Sequence, residues 1–363
     1  MYKGAVRGVQ AWGRNIQQLW SGVTVLHLLG SRADGGAETY FVQLVAALHA
    51  AAGDQVAAVR HHLGREAELA RVGVPVSTLP FGGPLDFRTR GGVARRAESS
   101  QAGVLLAWMN RAARHAPRGP WRRIGRLGGY YPLKNYRGFD ALVGNTVHIR
   151  DWIVSEGWPA NRAHYLPNFA DAGVDQPVSR ASLDTPDGVP LLLGMGRLHP
   201  SKGHDVSLRA LGRLPGVWLW IAGAGPLEAE LRSLAAELGV ADRVRWLGWR
   251  SDASALYRTA DICVFPSRYE PLGNVVIQAW AHGLPVVAAA SQGPSALIRD
   301  TVDGRLAPVD DDAALAAILT RMISDPAACA AMASAGEARV KAEFSRNAVV
   351  AQWRDLFMQY GAH

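Results

Sequence analysis

The chain has 363 residues, 48% of them hydrophobic, and a formal net charge of +8. This length predicts two α/β domains with substantial cores, and the mean hydropathy of −0.01 is typical of a soluble protein. No apolar run approaches the roughly 20 residues of a membrane span. Two cysteines, Cys263 and Cys329, provide neither a disulfide framework nor a cysteine metal site.

The first half of the chain begins with a tail and continues as a Rossmann-like domain. Residues 1–21 carry cations without the apolar core of a secretory signal, which favours a loose tail over a basic amphipathic helix. A strand is predicted at Val23–Leu28, followed by a loop with Gly35 and Gly36 and a helix at Thr39–Ala51. This pattern is typical of a ligand loop or of a plain tight turn. Further strands are predicted at Gln55–Val59, Val76–Leu79, Gly103–Ala107 and Ala141–Gly144.

The segment Arg88–Arg137 is strongly basic. It contains 12 Lys and Arg residues against one acid, Glu98. Aromatic residues are interleaved with the cations: Trp108, Trp121, Tyr130, Tyr131 and Tyr136. The segment could contact an anionic membrane surface, bind an anionic polymer, or be a solvated face without a partner. Aromatic residues among cations favour the membrane, and no nucleic-acid partner is expected because no nucleic-acid motif appears elsewhere.

The second half of the chain follows a polar segment, 171–188, that is predicted to be a linker. Strands and helices alternate from residue 189 to about Pro308, which predicts a parallel sheet covered on both faces. Three helices are then predicted, at Asp311–Ile323, Ala327–Phe344 and Arg346–Tyr360.

Two loops of the second half carry the chemistry. In Leu191–Gly203 an apolar strand runs into a glycine turn with Arg197 and Lys202, two cations that suit phosphate oxygens. In Phe265–Val287 a strand is followed by Glu270, Gly273 and a helix N-terminus, where free amides favour an anion. Together the two loops predict a diphosphate site at the carboxyl ends of parallel strands.

Residues 190–345 resemble the nucleotide-binding half of a retaining glycosyltransferase of the GT-B fold, glycosyltransferase family 4. The matching segments occur in order, and an ordered series is far more specific than one short motif. They are Gly196–Gly203, Leu219–Pro226, Val244–Gly248, Ala260–Ser267, Glu270–Asn274 and Ala281–Val287.

The resemblance implies two Rossmann-like domains, 22–170 and 189–345, with parallel sheets facing a central cleft and the C-terminal helix, 346–363, packed on the first. It implies Arg197, Lys202 and Glu270 as catalytic residues. Donor contacts implied by it are Gly35, Gly36, Gly196, Gly225, Leu247, Gly248, Leu272, Gly273, Asn274 and Gln278. Candidate sugar or acceptor contacts are Asn110, Arg111, His115 and His148. No metal or cofactor is expected, because cations and amides would stabilise the leaving diphosphate.

One position departs from the family pattern. The family has a second glutamate after the one matched by Glu270, and here Gln278 occupies that position. In the family this residue holds the ribose hydroxyls. A glutamine can accept and donate hydrogen bonds, but it lacks the charge that strengthens a carboxylate–hydroxyl bond.

The resemblance therefore predicts a retaining, metal-independent, hexosyltransferase-type enzyme. It would move a sugar from a nucleotide-diphosphate sugar to a hydroxyl of a glycan or lipid-linked acceptor in bacterial lipopolysaccharide, surface polysaccharide or glycolipid synthesis. The expected location is the cytoplasm, at the inner face of the membrane. The alternatives are a non-catalytic sugar-nucleotide-binding subunit and a nucleotide-sugar epimerase or a phosphorylase on the same fold.

Overall fold

A computed structural model of the protein describes residues 23–33, 35–51, 53–83 and 85–361. They form two compact units: one contains Phe169–Ser345, and the other contains the described residues on either side of it. The tail predicted at 1–21 lies outside the described residues. Each unit is a parallel sheet with helices, so the prediction of two Rossmann-like parallel sheets is confirmed.

The first unit is built on a seven-stranded parallel sheet in the order β3-β2-β1-β4-β5-β6-β7. Its strands are β1 (Thr24–Leu29), β2 (Gln55–Val59), β3 (Val76–Thr78), β4 (Ala102–Trp108), β5 (Arg122–Leu127), β6 (Ala141–Gly144) and β7 (Ala163–Tyr165). The chain winds outward from β1 to β3 and then returns to β4 on the other side of β1. The loops after β1 and β4 therefore flank a topological switch point, where open α/β sheets bind ligands.

Five helices follow strands of the first sheet: α1 (Gly36–Ala50), α2 (Leu63–Arg71), α3 (Phe87–Ser99), α4 (Met109–His115) and α5 (Val147–Ser155). Side-chain caps fix where three of them begin. His62, Asp86 and Thr146 accept hydrogen bonds from first-turn amides of α2, α3 and α5, and such caps satisfy amides that have no partner within the helix.

Strand β5 was not predicted from the sequence. Its residues RRIGRL include three arginines, yet Arg123 and Arg126 are buried and β5 pairs with β4 and β6. Trp108, Trp121 and Tyr136 are also buried in the core. The interpretation of Arg88–Arg137 as a basic surface with interleaved aromatic residues is therefore wrong for these three aromatic residues, because they fill the interior.

The second unit contains a six-stranded parallel sheet in the order β10-β9-β8-β11-β12-β13. Its strands are β8 (Leu191–Met195), β9 (Trp218–Ala222), β10 (Val244–Gly248), β11 (Ile262–Phe265), β12 (Val286–Ala289) and β13 (Arg305–Ala307). Its helices are α6 (His204–Gly212), α7 (Glu228–Glu237), α8 (Ala253–Thr259), α9 (Asn274–Ala281), α10 (Gln292–Leu297), α11 (Asp312–Ser324) and α12 (Pro326–Arg339), and a π-helical turn, Val340–Phe344, follows α12. The switch point of this sheet lies between β8 and β11.

The segment predicted to be a linker, 171–188, is attached to the second unit. Arg180 donates to the Val189 carbonyl at 2.9 Å and to the Asp261 carboxylate at 2.8 Å. The Gly173 carbonyl accepts from the Arg258 guanidinium at 2.6 Å. These contacts hold the segment beside the amino-terminal ends of the central strands β8 and β11.

The last helix, α13 (Arg346–Gly361), belongs to the first unit and packs against α1 and β4. Trp353 and Phe357 are buried, and the Phe357 ring meets the His27 ring edge-on at 6.4 Å. In the described part of the chain, no single helix has the length and apolar character to cross a bilayer. Only the bent pair Asp312–Ser324 and Pro326–Gly361 passes that test together.

Candidate functional site

The candidate site of the second unit lies at the carboxyl ends of β8 and β11, which are hydrogen-bonded neighbours at the switch point. The loop after β8 contains Arg197 and Lys202, and the loop after β11 contains Glu270 and Gly273. Two sequence segments some 70 residues apart therefore converge at one edge of the sheet. This is the position where parallel α/β sheets bind ligands.

The loop after β8 is held in place by backbone contacts. Gly196 has φ +141°, and its amide donates to the Ala222 carbonyl at 3.0 Å. A Cβ on Gly223 would lie 1.9 Å from the Gly196 oxygen, and one on Gly225 would lie 2.3 Å from the Leu198 oxygen. Only glycine fits such approaches. Gly225 supports the loop in this way, and its predicted contact with the donor stays a prediction.

Lys202, Glu270 and Gly273 meet. The Lys202 Nζ lies 2.5 Å from Glu270 Oε2, and the Gly273 amide donates to Glu270 Oε1 at 3.2 Å. The side chains of Lys202 and Glu270 are 25% and 14% exposed. One carboxylate group therefore lies within reach of both the lysine and the helix N-terminus. An ammonium group and a backbone amide that share one anionic group are also placed to share a phosphate.

The N-terminus of α9 follows from the conformation of Gly273, whose φ is +85°. Glycine adopts this left-handed conformation without the steric cost that other residues incur. Leu272 is buried before it, and Asn274 is the first residue of α9. Leu272 and Asn274, both predicted donor contacts, therefore bracket the helix N-terminus.

Arg197 extends from the same loop as Lys202, but its side chain is exposed and forms no ion pair within the described residues. The structure thus brings together Lys202, Glu270 and Gly273, and it leaves the Arg197 guanidinium unpaired on the loop. A guanidinium that is not committed to a protein carboxylate retains its planar donor fork for a phosphate.

An ion pair that was not predicted from the sequence ties the two loops together. Arg268, just after β11, donates to both oxygens of Asp205 on α6 at 2.8 and 2.7 Å. Arg268 and Tyr269 also donate backbone amides to the Ser201 carbonyl. Burial opposes ionisation of Asp205, but hydrogen bonds from Arg268 and Arg209 hold its pKa at about 2. These contacts join the two loops and α6 into one framework.

His204, at the start of α6, is buried and contacts the backbone of the glycine turn. Its Nε2 lies 3.3 Å from the Gly196 carbonyl, so Nε2 carries the proton and donates. Burial lowers the pKa of His204 to about 4. The imidazole is therefore neutral at pH 7, and it positions the loop without adding a charge.

Gln278 lies on the exposed side of α9. Its Oε1 accepts from the Tyr257 hydroxyl at 3.1 Å, and the Tyr257 ring stacks on His282 at 5.0 Å. Burial raises the pKa of Tyr257 well above its usual value, so the hydroxyl remains a donor. The amide nitrogen of Gln278 has no partner among the described residues and can donate to a ligand hydroxyl.

The predicted base-facing segment follows β10. Leu247 and Gly248 are half-buried, Gly248 has φ +63°, and its carbonyl accepts from the Gly223 amide at 2.8 Å. The next residue, Trp249, is 78% exposed, and Tyr269 beside Glu270 is 56% exposed. Both are large aromatic residues at the carboxyl edge of the sheet. Sequence reasoning missed them because a sequence does not report which aromatic residues remain outside the core.

At the switch point of the first unit, Gly35 caps α1 and Gly36 is its first residue. The loop before Gly35 is fixed by Arg65, which is buried and donates to the carbonyls of Ser31 and Ala33 at 2.9 Å. A Cβ on Gly30 would lie 2.8 Å from the Arg111 side chain. The glycine-rich loop and the predicted contact Arg111 are therefore adjacent.

The other predicted contacts of the first unit differ in access. Asn110 follows Met109, a residue with φ +60°, and accepts from the Asn135 amide at 3.0 Å. His148 is exposed in the first turn of α5. His115 is buried, its Nε2 lies 3.3 Å from the Gly82 carbonyl, and burial lowers its pKa. His115 therefore packs inside the unit in this structure, and its role as a sugar contact stays a prediction.

Arg126 is a buried cation that the sequence did not reveal. It lies over the rings of Trp108 and Tyr40 at 4.3 and 5.0 Å and donates to Asn168. Burial lowers its pKa to about 10, so it remains charged at pH 7. Separately, no group of three His, Cys, Asp or Glu side chains suited to a metal ion occurs in the ranges that the structure describes.

Comparison with known proteins identifies the family. The pattern described as Glycosyl transferases group 1 matches residues 175–339. The chain is 33% identical over 340 residues to the lipopolysaccharide core biosynthesis glycosyltransferase LpsE of Rhizobium meliloti, covering 90% of this chain and 95% of LpsE. It is also 33% identical over 328 residues to LpsD of the same organism, covering 89% of this chain and 95% of LpsD.

A solved structure shares the fold. The Anabaena protein HepE, crystallised in complex with UDP, superposes with a TM-score of 0.81 at 21% identity, covering 93% of this chain and all of that one. This likeness and the two parallel-sheet units confirm the predicted GT-B fold class. The chain belongs to the glycosyl transferases group 1 family.

Proposed function

We propose that this glycosyltransferase transfers a sugar, with retention of anomeric configuration, from a nucleotide-diphosphate sugar to a hydroxyl of the lipopolysaccharide core. The observation that carries the proposal is the convergence of Lys202, Glu270 and the Gly273 amide at the switch point of the second sheet. LpsE and LpsD, named for lipopolysaccharide core synthesis, support the acceptor class. The UDP bound by HepE supports a nucleotide donor.

The chemistry requires stabilisation of the departing diphosphate. Lys202 has three N–H donors, so it can keep its contact with Glu270 and still donate to phosphate oxygens. Arg197 would add its planar fork, and the Gly273 region would add backbone amides. Lys202 and the Gly273 amide are held by Glu270 before the reaction, and such preorganised donors supply large transition-state stabilisation. Glu270 would orient the transferred sugar through its hydroxyls, and no metal or cofactor is invoked.

A location at the inner face of the cytoplasmic membrane is part of the proposal. Leu85, which precedes the cap of α3, and Phe87, the first residue of α3, are 82% and 71% exposed. Arg88 and Arg90 follow directly and are exposed. Two apolar side chains beside cations suit insertion between anionic headgroups, where each cation contributes about 1 kcal/mol.

The test of the catalytic assignment uses the full chain and nucleotide sugars. Wild-type protein incubated with UDP-, GDP- and ADP-sugars should hydrolyse one class slowly and transfer it to lipopolysaccharide core acceptor. Lys202→Ala and Glu270→Gln should each lower turnover by about 10²–10³-fold, the loss that follows removal of one transition-state contact. The product anomer, read by NMR, should match that of the donor.

The matched controls are Lys341→Ala and Glu230→Gln. Each removes one charge from an exposed side chain elsewhere in the unit, Lys341 in the π-helical turn and Glu230 on α7. Both should retain wild-type rates. Wild-type turnover in Lys202→Ala or Glu270→Gln would overturn the site. Binding of a nucleotide sugar without hydrolysis or transfer would instead favour a non-catalytic subunit.

A further inference from the structure

A pocket of about 690 Å³ opens in the first unit between α4 and the connection from β5 to β6. Six of the residues that line it are cationic: Arg90, Arg114, Arg118, Arg123, Lys134 and Arg137. No Asp or Glu lines it. A volume of this size is in the range of small-molecule sites. Most such sites are lined mainly by apolar side chains, whereas the charged side chains that line this pocket are all positive.

The cations of this pocket, called here the arginine pocket, come from four separate elements. Arg90 lies in the first turn of α3 and Arg114 in the last turn of α4, while Arg123 lies near the start of β5. Arg118 precedes β5, and Lys134 and Arg137 lie in and after a 3-10 turn, Leu133–Tyr136. All six lie within the basic segment Arg88–Arg137 of the sequence, and the fold brings them from separate elements of that segment to one pocket.

At least two of the guanidinium groups are close together. A Cβ placed on Gly138 would lie 3.0 Å from Arg123 Nη2 and 3.4 Å from Arg118 Nη2. Gly138 has φ +77°, so the backbone here suits glycine and leaves both guanidinium groups uncovered. Burial and the charges of Arg118 and Arg90 lower the pKa of Arg123. Each of these cations therefore repels the others.

Of the nearby carboxylates, Asp140 raises the pKa of Arg123, but burial and the charge of Arg118 outweigh it. Asp140 is committed to Arg122 at 3.4 Å and to the Arg123 backbone amide at 2.8 Å. Asp86 accepts from the amides of Gly82 and Thr89. Glu98 lies two turns away from Arg90 on α3, about 12 Å at 1.5 Å per residue.

Arg123 is positioned by the protein and the other cations are not. Arg123 donates to the carbonyls of Ala116 and Gly138 and lies over the Phe139 ring at 4.9 Å. Arg114, Arg118, Lys134 and Arg137 are exposed and form no ion pair within the described residues. A rigid buried cation surrounded by uncommitted ones can adapt to an anion with several oxygens, for which arginine supplies bidentate donors.

We propose that the arginine pocket binds a phosphate-bearing ligand, with the phosphate oxygens held by Arg123, Arg118 and Arg114. This site is distinct from the diphosphate site of the second unit and stands whether or not the proposed sugar transfer is correct. A phosphorylated sugar and a lipid headgroup both present anionic phosphate oxygens, as a monoester in the sugar and as a phosphodiester in phosphatidylglycerol. Binding of the phosphate relieves the mutual repulsion of the cations. Added salt screens these charges and should weaken the binding.

The test measures binding of inorganic pyrophosphate by calorimetry at low salt, with every variant made in the Lys202→Ala background to suppress the donor site. The triple variant Arg114→Gln/Arg118→Gln/Lys134→Gln should bind at least tenfold more weakly. These side chains are exposed and have no described partner, so the fold should survive, which circular dichroism checks. The matched control Arg71→Gln/Arg95→Gln/Arg321→Gln removes the same charge from exposed positions outside the pocket, and it should bind as the parent does.

Competition then identifies the source of the phosphate. Displacement of pyrophosphate by glucose 6-phosphate, but not by glucose, assigns the pocket to a phosphorylated sugar. Displacement by phosphatidylglycerol vesicles, but not by phosphatidylcholine vesicles, assigns it to a lipid headgroup. Equal affinity of the triple variant and its control overturns the proposal, as does an absence of pyrophosphate binding to the parent protein.

Discussion

Trp249 is the most exposed large aromatic residue that follows a strand of the second sheet, at 78%. The neighbouring Arg250 is paired with Asp252 at 2.5 and 2.7 Å, which fixes the loop beneath the indole. An exposed indole at the ligand edge of a sheet is a stacking surface for a flat ring. Stacking of a base on an aromatic side chain contributes about 1–3 kcal/mol.

Trp249→Ala should therefore raise the KM for the donor roughly tenfold, which corresponds to about 1.4 kcal/mol, with little change in kcat. Steady-state kinetics over a range of donor concentrations measure both constants. Trp249→Phe retains a flat ring and should recover most of the affinity. An unchanged KM in Trp249→Ala would show that the indole does not contact the donor.

Gln278→Glu should be tolerated. The Tyr257 hydroxyl that donates to Gln278 Oε1 at 3.1 Å can donate equally to a carboxylate. A carboxylate also accepts more strongly from ribose hydroxyls, so the donor Kd should stay level or fall. Calorimetric titration with the donor nucleotide checks this, and Tyr257→Phe in the same background isolates the hydroxyl. A large loss of affinity in Gln278→Glu would mean that the amide nitrogen is the group that contacts the ligand.

Helix α6 and the loop after β11 are coupled by the Arg268–Asp205 pair, and this coupling depends on pH. The pKa of Asp205 is about 2, below its usual 3.8, because hydrogen bonds from Arg268 and Arg209 outweigh the opposing effect of burial. The charged form is the stabilised one. Its contribution is thus present above pH 3.8 and is lost as the pH falls towards 2.

Asp205→Asn should lower the free energy of unfolding of the second unit by about 2 kcal/mol at pH 7, and the difference from wild type should shrink below pH 4. Urea unfolding at pH 7, 4 and 3 measures it. Asp187→Asn, an exposed carboxylate with no described partner, is the control and should behave as wild type. A pH-independent difference would show that the pair acts through packing alone.

Sequence reasoning located the elements whose pattern is contained within a short stretch of the chain. Lys202, Glu270 and Gly273 were predicted because each loop carries its own cation, carboxylate or glycine next to an apolar strand. Strand β5 was missed because its three arginines resemble a surface. Arg126 is buried through tertiary contacts with Trp108, Tyr40 and Asn168, which no local pattern reports. The Arg268–Asp205 pair joins residues 63 positions apart, so no local pattern reports it.

At the scale of the molecule, each unit contains a buried histidine whose neutral form is required. His27 in the first unit and His204 in the second each have a pKa of about 4, because burial disfavours the imidazolium. The usual histidine pKa is 6.5. In both units the unfolded chain therefore binds more protons than the folded one between pH 6.5 and 4, and stability falls as the pH falls through that range.

Each unit should lose about 3 kcal/mol of unfolding free energy between pH 7 and pH 4 from this cause. Urea unfolding followed by tryptophan fluorescence at both pH values checks it. His204→Gln should flatten the pH dependence of the second unit only, and the exposed His148→Gln should leave both dependences unchanged. A His204→Gln variant that is as acid-sensitive as wild type would contradict the assignment.

The position of α13 in the sequence has a consequence for biosynthesis. This helix completes the first unit, but it is encoded after Phe169–Ser345, the whole of the second. On the ribosome, the second unit can therefore emerge entire while the earlier-made one still lacks the partner of α1 and β4. Until α13 is made, the amino-terminal sheet lacks the contact between Phe357 and His27. The unit that is translated first is therefore the one that completes its folding last.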